Sequence, residues 1–263
     1  MFNNRALVSF SGPCKLQCKH CYTFSKSCAS KCFDDNLECD ALIDSIDDNV
    51  DIVYISHDRE NFIDEKAGIA LANAIFEKKN KSIFIITRCN LSDSCVQELS
   101  QLNNKMKERG LILIIAVSVP ALKSYDLLEQ KDIVATPEER IRVLARLHEK
   151  GIKTILMIRP LLPTALIPIE ETYQLINLSK YYIDAVVASG IAVNKKILER
   201  LGLLDYPFIY MDGNNAEFLI GADVPDIKYV DTEREIKQLF EYCKYNNILC
   251  YRHSLDAING IAN

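Results

Sequence analysis

No run of lysines and arginines builds a basic stripe in this chain, and its formal net charge is −5. The electrostatic footprint of a nucleic-acid binder is therefore missing. No apolar run is long enough to span a bilayer, which argues against an integral membrane protein. The N-terminus, MFNNRALVSF, lacks the basic, apolar and small-residue regions of a secretory signal. The expectation is a cytoplasmic protein with no membrane partner. Linkers, low-complexity tracts and internal repeats are also missing, so the chain reads as one domain: a core over 1–193 and a C-terminal elaboration over 194–263.

What is abundant is cysteine, with ten in 263 residues. Without a secretory context, clustered cysteines in a chain this long read as metal ligands or free thiols rather than a disulfide framework. The remaining composition, 49% hydrophobic and 25% charged, is that of a globular protein with a full core.

Short apolar runs alternate with longer amphipathic stretches. Strands are expected at 6–12, 51–56, 82–87, 111–119, 154–158 and 183–188, with helices near 36–47, 65–79, 92–109, 137–150 and 169–180. The fourth helix opens on Thr136-Pro137-Glu138-Glu139, a capping box with proline at its first position, and Gly151 closes it. Ile141, Leu144 and Leu147 form its expected apolar stripe. Strands that are apolar nearly throughout suit a parallel sheet covered on both faces. Their alternation with helices gives βαβ units wound in one hand. The expected fold is α/β, a partial TIM barrel of (β/α)6 type. In the tail, 208–211 and 248–251 read as strands. Thr232–Glu235 reads as a second capping box, before a helix with Ile236, Leu239, Phe240 and Cys243 on one face.

The chemistry lies just after the first strand. Cys14, Cys18 and Cys21 stand at spacing C-x3-C-x2-C within PCKLQCKHCY. In an α/β barrel, the loops after the strands build the active site. Three thiolates on one loop can ligate three irons of a cubane cluster and leave the fourth iron open. The competing reading is a zinc knuckle, although zinc prefers four ligands in two pairs.

This segment resembles the radical S-adenosylmethionine (SAM) superfamily, with His20 before the third cysteine and Tyr22 after it. The resemblance implies a 4Fe–4S cluster whose open iron chelates SAM. It implies reductive cleavage of SAM to a 5′-deoxyadenosyl radical, which abstracts hydrogen from a substrate. It also implies an electron donor such as flavodoxin or ferredoxin. Members commonly carry Gly-Gly-Glu after strand two, where this chain has Ser56-His57-Asp58-Arg59-Glu60. Asp58 is the carboxylate expected to meet the SAM ammonium, helped by the backbone carbonyls of Ser56 and His57. With Arg88 after strand three and Ser118 after strand four, the set looks like the spore photoproduct lyase-like branch. The resemblance then places Arg88, Ser118, Arg159 and Tyr22 around SAM.

Three further cysteines, Cys28, Cys32 and Cys39, follow at C-x3-C-x6-C. A second metal site, a hydrogen-donating thiol near the active site, with Cys39 as the candidate, and plain free thiols all remain open for them. His57 is the best placed proton-transfer group among four histidines. Asp212, Asn214, Asn215, Glu217, Tyr251, Arg252 and His253 are candidate substrate contacts, the first of these on a segment whose composition alone makes a turn. The expected substrate is a small molecule or peptide. A DNA-lesion or RNA-modifying enzyme and an activase that installs a glycyl radical on a partner are alternatives. So is a non-catalytic regulatory protein that binds zinc or a cluster.

Overall fold

A computed structural model describes residues 1–10, 13–25, 35–211 and 226–262. Six parallel strands follow one another across a sheet: β1 (Arg5–Val8), β2 (Ile52–Ile55), β3 (Ser82–Thr87), β4 (Leu113–Ser118), β5 (Lys153–Leu161) and β6 (Ala185–Gly190). Each of the first five is followed by helix: α1 (Asp35–Asp44), α2 (Glu65–Lys79), α3 (Asp93–Glu108), the short α4 (Tyr125–Leu128) with α5 (Pro137–Glu149), and α6 (Ile169–Ser179). After β6 come β7 (Ala192–Val193), α7 (Lys195–Leu201), β8 (Lys228–Tyr229), α8 (Glu233–Tyr245), β9 (Cys250–Tyr251) and α9 (Ser254–Ile261). The tail thus supplies a seventh parallel strand, since β9 pairs with β6 through Val186 and Val187. β7 and β8 form a separate antiparallel pair.

Strand alternation divides the core in two. Val53 and Ile55, Ile83 and Ile85, Val117, Leu156 and Ile158 face outward and pack against the helices. Ile52 and Tyr54, Phe84, Ile114 and Ala116, Ile155 and Met157, and Ala185 and Val187 face inward, where Ala257, Ile258 and Ile261 of α9 cover them. Because both sets are buried, the strands read as continuous apolar runs. The start of the chain is clasped to α9: the Phe2 N–H donates to Asn259 Oδ1 at 2.6 Å, and Asn259 Nδ2 donates to the Phe2 carbonyl at 3.0 Å.

Local signals explain most boundaries. Asp64, Ser92 and Thr136 accept from the backbone of α2, α3 and α5 respectively, and Thr136 with Glu139 completes the expected capping box. The buried stripe of α5 is Arg140, Val143, Leu144 and Leu147, whereas Ile141 is half-buried. The stripe admits an arginine because a carboxylate waits opposite it.

Two expectations in the tail are corrected. Residues 208–211 form no strand, only an isolated bridge between Tyr210 and Val230. The second capping box does not form either. No side-chain bond from Thr232 caps α8, and Glu235 instead accepts from the Thr164 N–H at 2.9 Å and its hydroxyl at 3.1 Å. A tertiary partner has outcompeted the local one.

Candidate active site

The cysteine loop leaves the C-terminal end of β1 and turns at Gln17, whose φ is 47°. A tight turn from the Cys18 carbonyl to the Cys21 N–H, 3.0 Å, sets the second and third cysteines on one bend. Leu16 and Cys18 are buried with Val134, and Cys14 and Cys21 pack against this small cluster. α4 docks the loop: the Leu128 carbonyl accepts from Lys19 N–H at 2.9 Å and from His20 N–H at 3.4 Å, and lies 2.9 Å from His20 Nδ1. On the other side, Arg200 of α7 donates to the Cys21 carbonyl at 2.7 Å. The Glu60 N–H points at Cys14 Sγ from 3.5 Å, and Thr23 joins the loop to the Asp58 carbonyl at 3.0 Å.

Glu60 organises the ends of β2 and β3. Its carboxylate accepts from the N–H groups of Phe62 at 3.1 Å and Arg88 at 2.7 Å, and from the Thr87 hydroxyl at 3.2 Å. Burial pushes that carboxyl upward, and the donors around it pull back. Beside it, Arg88 Nε donates to Glu129 at 3.2 Å. Glu129 also takes Arg140 Nη2 at 2.6 Å, and neither of these two side chains has any exposure. Arg140 Nη1 in turn donates to the Ser118 carbonyl at 2.6 Å. The loop after β4 is fixed from a distance, because Glu171 of α6 accepts the N–H groups of Leu122, Lys123 and Ser124 at 2.8, 2.6 and 2.8 Å.

Electrostatics follow from this packing. Burial pushes the Cys18 thiol up to about 12, Arg88 draws it back, and Glu129 and the two other cysteines act against Arg88. Burial likewise pulls His20 down to about 4, keeping the imidazole neutral. A thiolate at Cys18 therefore needs positive charge beyond what Arg88 gives, which is what bound metal supplies.

The residues fit the cluster expected from the spacing. Three reduced thiols share one loop at the end of a barrel strand. Among the described residues, no set of three or more His, Cys, Asp or Glu side chains converges as on a single ion. A cubane asks for less, because each thiolate meets its own iron. A second fitting feature is the Ser118 hydroxyl. It is fully buried at the end of β4 and has no hydrogen-bond partner among the described residues.

Of the expected site residues, Ser56, His57, Asp58, Arg88 and Ser118 fall at the strand ends on the side where the cysteine loop emerges. Ser56 is buried at φ 65° and its hydroxyl accepts from the Asn61 N–H at 3.1 Å. Tyr22 turns into the apolar cluster built by α7, β7 and β8. Arg159 donates to the Arg252 carbonyl, which brings Tyr251–His253 to the same end. Cys39 lies on α1, and its side chain is outside the described residues, as are Cys28, Cys32, Asp212, Asn214, Asn215 and Glu217. Sequence reasoning missed Glu60, Glu129, Arg140, Glu171 and Arg200. The one signal available was Arg140, a charge at a stripe position of an amphipathic helix.

This architecture is that of an α/β partial barrel with a cysteine loop at the mouth. No protein-family profile matches the chain, and neither does any curated protein sequence. Solved structures do. Spore photoproduct lyase with bound AdoMet and dinucleoside spore photoproduct superposes with a TM-score of 0.63, at 12% identity, over 94% of this chain and 75% of the lyase. The anSMEcpe protein with bound AdoMet gives 0.56 at 13% identity, over 96% of this chain and 64% of that one. Methylornithine synthase gives 0.50 at 15% identity, over 99% and 86%. At these identities the likeness is one of fold, an α/β architecture shared with two proteins solved with AdoMet bound. No helix among the described residues is long and apolar enough to cross a membrane.

Proposed function

We propose that this chain is a radical SAM enzyme whose Cys14, Cys18 and Cys21 hold a 4Fe–4S cluster with one iron left open for SAM. The observation that carries the reading is the position of the C-x3-C-x2-C loop. It leaves the end of the first strand in a fold shared with two proteins that bind AdoMet. Bound there, the cluster supplies the electron that cleaves SAM to methionine and a 5′-deoxyadenosyl radical.

The chain's own residues have definable tasks. Arg88, held by Glu129, offers a guanidinium to the SAM carboxylate or ribose beside Cys18. Ser118 offers a buried hydroxyl in want of a partner. Asp58 and Ser56 line the approach from β2, with Asp58 the carboxylate for the SAM ammonium, while Tyr22 anchors the end of the cysteine loop in the apolar cluster beside α7. Glu60 is too thoroughly engaged by backbone donors for that task. His57 stands beside this set as the proton-transfer group, and Cys39 is the candidate hydrogen-donating thiol. A flavodoxin or ferredoxin would deliver the electron. The net charge of −5 favours a small molecule or peptide over a nucleic acid as substrate.

The test is anaerobic reconstitution with iron and sulfide, then dithionite and SAM, with chromatography for 5′-deoxyadenosine. Iron and sulfide in the protein and 5′-deoxyadenosine in the products are expected, both lost in Cys18→Ala. Zinc bound in place of iron would overturn the reading.

A further inference from the structure

We propose that Arg159 anchors an anionic group, a carboxylate or a phosphate, of the molecule that reacts at the inner face of the sheet, with Tyr54, Tyr229 and His253 around it. This rests on reading the inner face as the reaction cavity, and it gives Arg159 to the substrate rather than to SAM.

The placement follows from strand alternation. Ile155 and Met157 of β5 face inward, and Arg159 is next in that row, two residues before the strand ends and where its pairing with β6 shifts register. Its Nη2 donates to the Arg252 carbonyl, while its Nε is buried with no acceptor among the described residues. The contrast with Arg88 and Arg140 is direct, because those two share the Glu129 carboxylate. No carboxylate among the described residues lies within ion-pair distance of Arg159. Glu233 gives both its oxygens to Arg252 at 2.7 Å. Asp256 is exposed and acts on Tyr54 and His253.

The surroundings of Arg159 make its charge costly. Burial pulls the guanidinium down to about 10, Tyr54 and Tyr229 oppose the shift, and Arg5 adds to it. Arg5 itself lies over the Tyr54 ring, 5.1 Å from its centre. The charge of Arg159 is felt at Tyr54, Tyr229 and His253, whereas the cation felt at Cys18 is Arg88. Arg88 Nη2 comes within 3.5 Å of the Arg159 carbonyl, so the two arginines adjoin while their charges act on different groups. A cation drawn out of water without a counter-ion is unfavourable until an anion meets it. A guanidinium fork flanked by phenols and an imidazole matches an oxyanion. At the β1 edge Ala6 and Val8 pack into the helical layer, whereas Leu7 between them is 43% exposed.

The experiment uses the reconstituted full chain with SAM, as wild type, Arg159→Gln, Arg159→Lys and the surface control Arg142→Gln. Inorganic phosphate and acetate are titrated separately by calorimetry, and the anion that binds identifies the source of the charge. Binding to wild type and control is expected, weakened at least about tenfold in Arg159→Gln and partly retained in Arg159→Lys. Arg159→Gln should melt no lower than wild type, and SAM affinity should be unchanged. Failure of both anions to bind, equal binding in Arg159→Gln, or a large drop in its melting temperature overturns the proposal. Loss of SAM affinity would assign Arg159 to the cofactor and overturn it too. The anion titrations are repeated on the protein without cluster and SAM, so that failed cluster assembly, which strikes the enzyme reading, leaves this test standing.

Discussion

Arg140 grips Glu129 through two nitrogens, Nη1 at 3.1 Å and Nη2 at 2.6 Å, where neither side chain has any exposure. The same carboxylate restrains Arg88 beside Cys18. Removing Glu129 would strand two arginines, one of them fully buried. Glu129→Ala is expected to cost about 3–5 kcal/mol in urea unfolding, since an orphaned buried charge is worse than an apolar replacement of the pair. Replacing both partners, as Glu129→Leu with Arg140→Met, should recover much of that loss. A double variant no more stable than Glu129→Ala would refute this account.

The capping box of α5 makes a smaller and cleaner prediction. Thr136 accepts from Glu139 N–H at 3.3 Å, and Glu139 accepts from Thr136 N–H at 2.8 Å. Thr136→Ala should lower stability by about 1 kcal/mol, read as a shift in the urea midpoint with unchanged slope.

Gly190 closes β6 against the N-terminus of α8. A Cβ there would lie 2.2 Å from Thr232 Oγ1, and Thr232 is buried. Gly190→Ala is expected to cost about 1–3 kcal/mol through overpacking. Adding Thr232→Ala should return most of it. Additive losses in that double-mutant cycle would show that the contact is not the cause.

The thiols should separate by reactivity. Burial pushes Cys95 up to about 12, so about one molecule in ten thousand carries its thiolate at pH 8. Cys250 is a free thiol held well above the usual range by hydrogen bonding with the Cys243 thiol and by burial. Mass spectrometry after iodoacetamide treatment of the native protein should find Cys95, Cys243 and Cys250 unmodified, and all three labelled in urea. Cys95 is buried on α3 at 2% exposure, and its rapid labelling in the native protein would contradict that packing.

Much of the fold was legible because each inner-sheet strand is buried on both faces, which leaves a plain apolar run in the sequence. The first six strands and their helices were placed within a few residues, the strands on their apolar runs and the helices on amphipathic period and capping residues. The tail was harder for a physical reason. Glu235 sits at the capping position after Thr232 yet bonds Thr164, and Tyr210 makes one bridge where a strand was expected. The cysteine loop was legible from its spacing. Its supports were not: Glu129 meets Arg88 from 41 residues away, and Arg200 meets Cys21 from 179. Nothing in a single sequence marks such pairs until the barrel brings them together.

The clasp between Phe2 and Asn259 has a mechanical meaning. β1 ends at the cysteine loop and is tied, just before it begins, to the helix lying across the inner face. The four-residue strand therefore works as a tie rod between α9 and the cysteine loop.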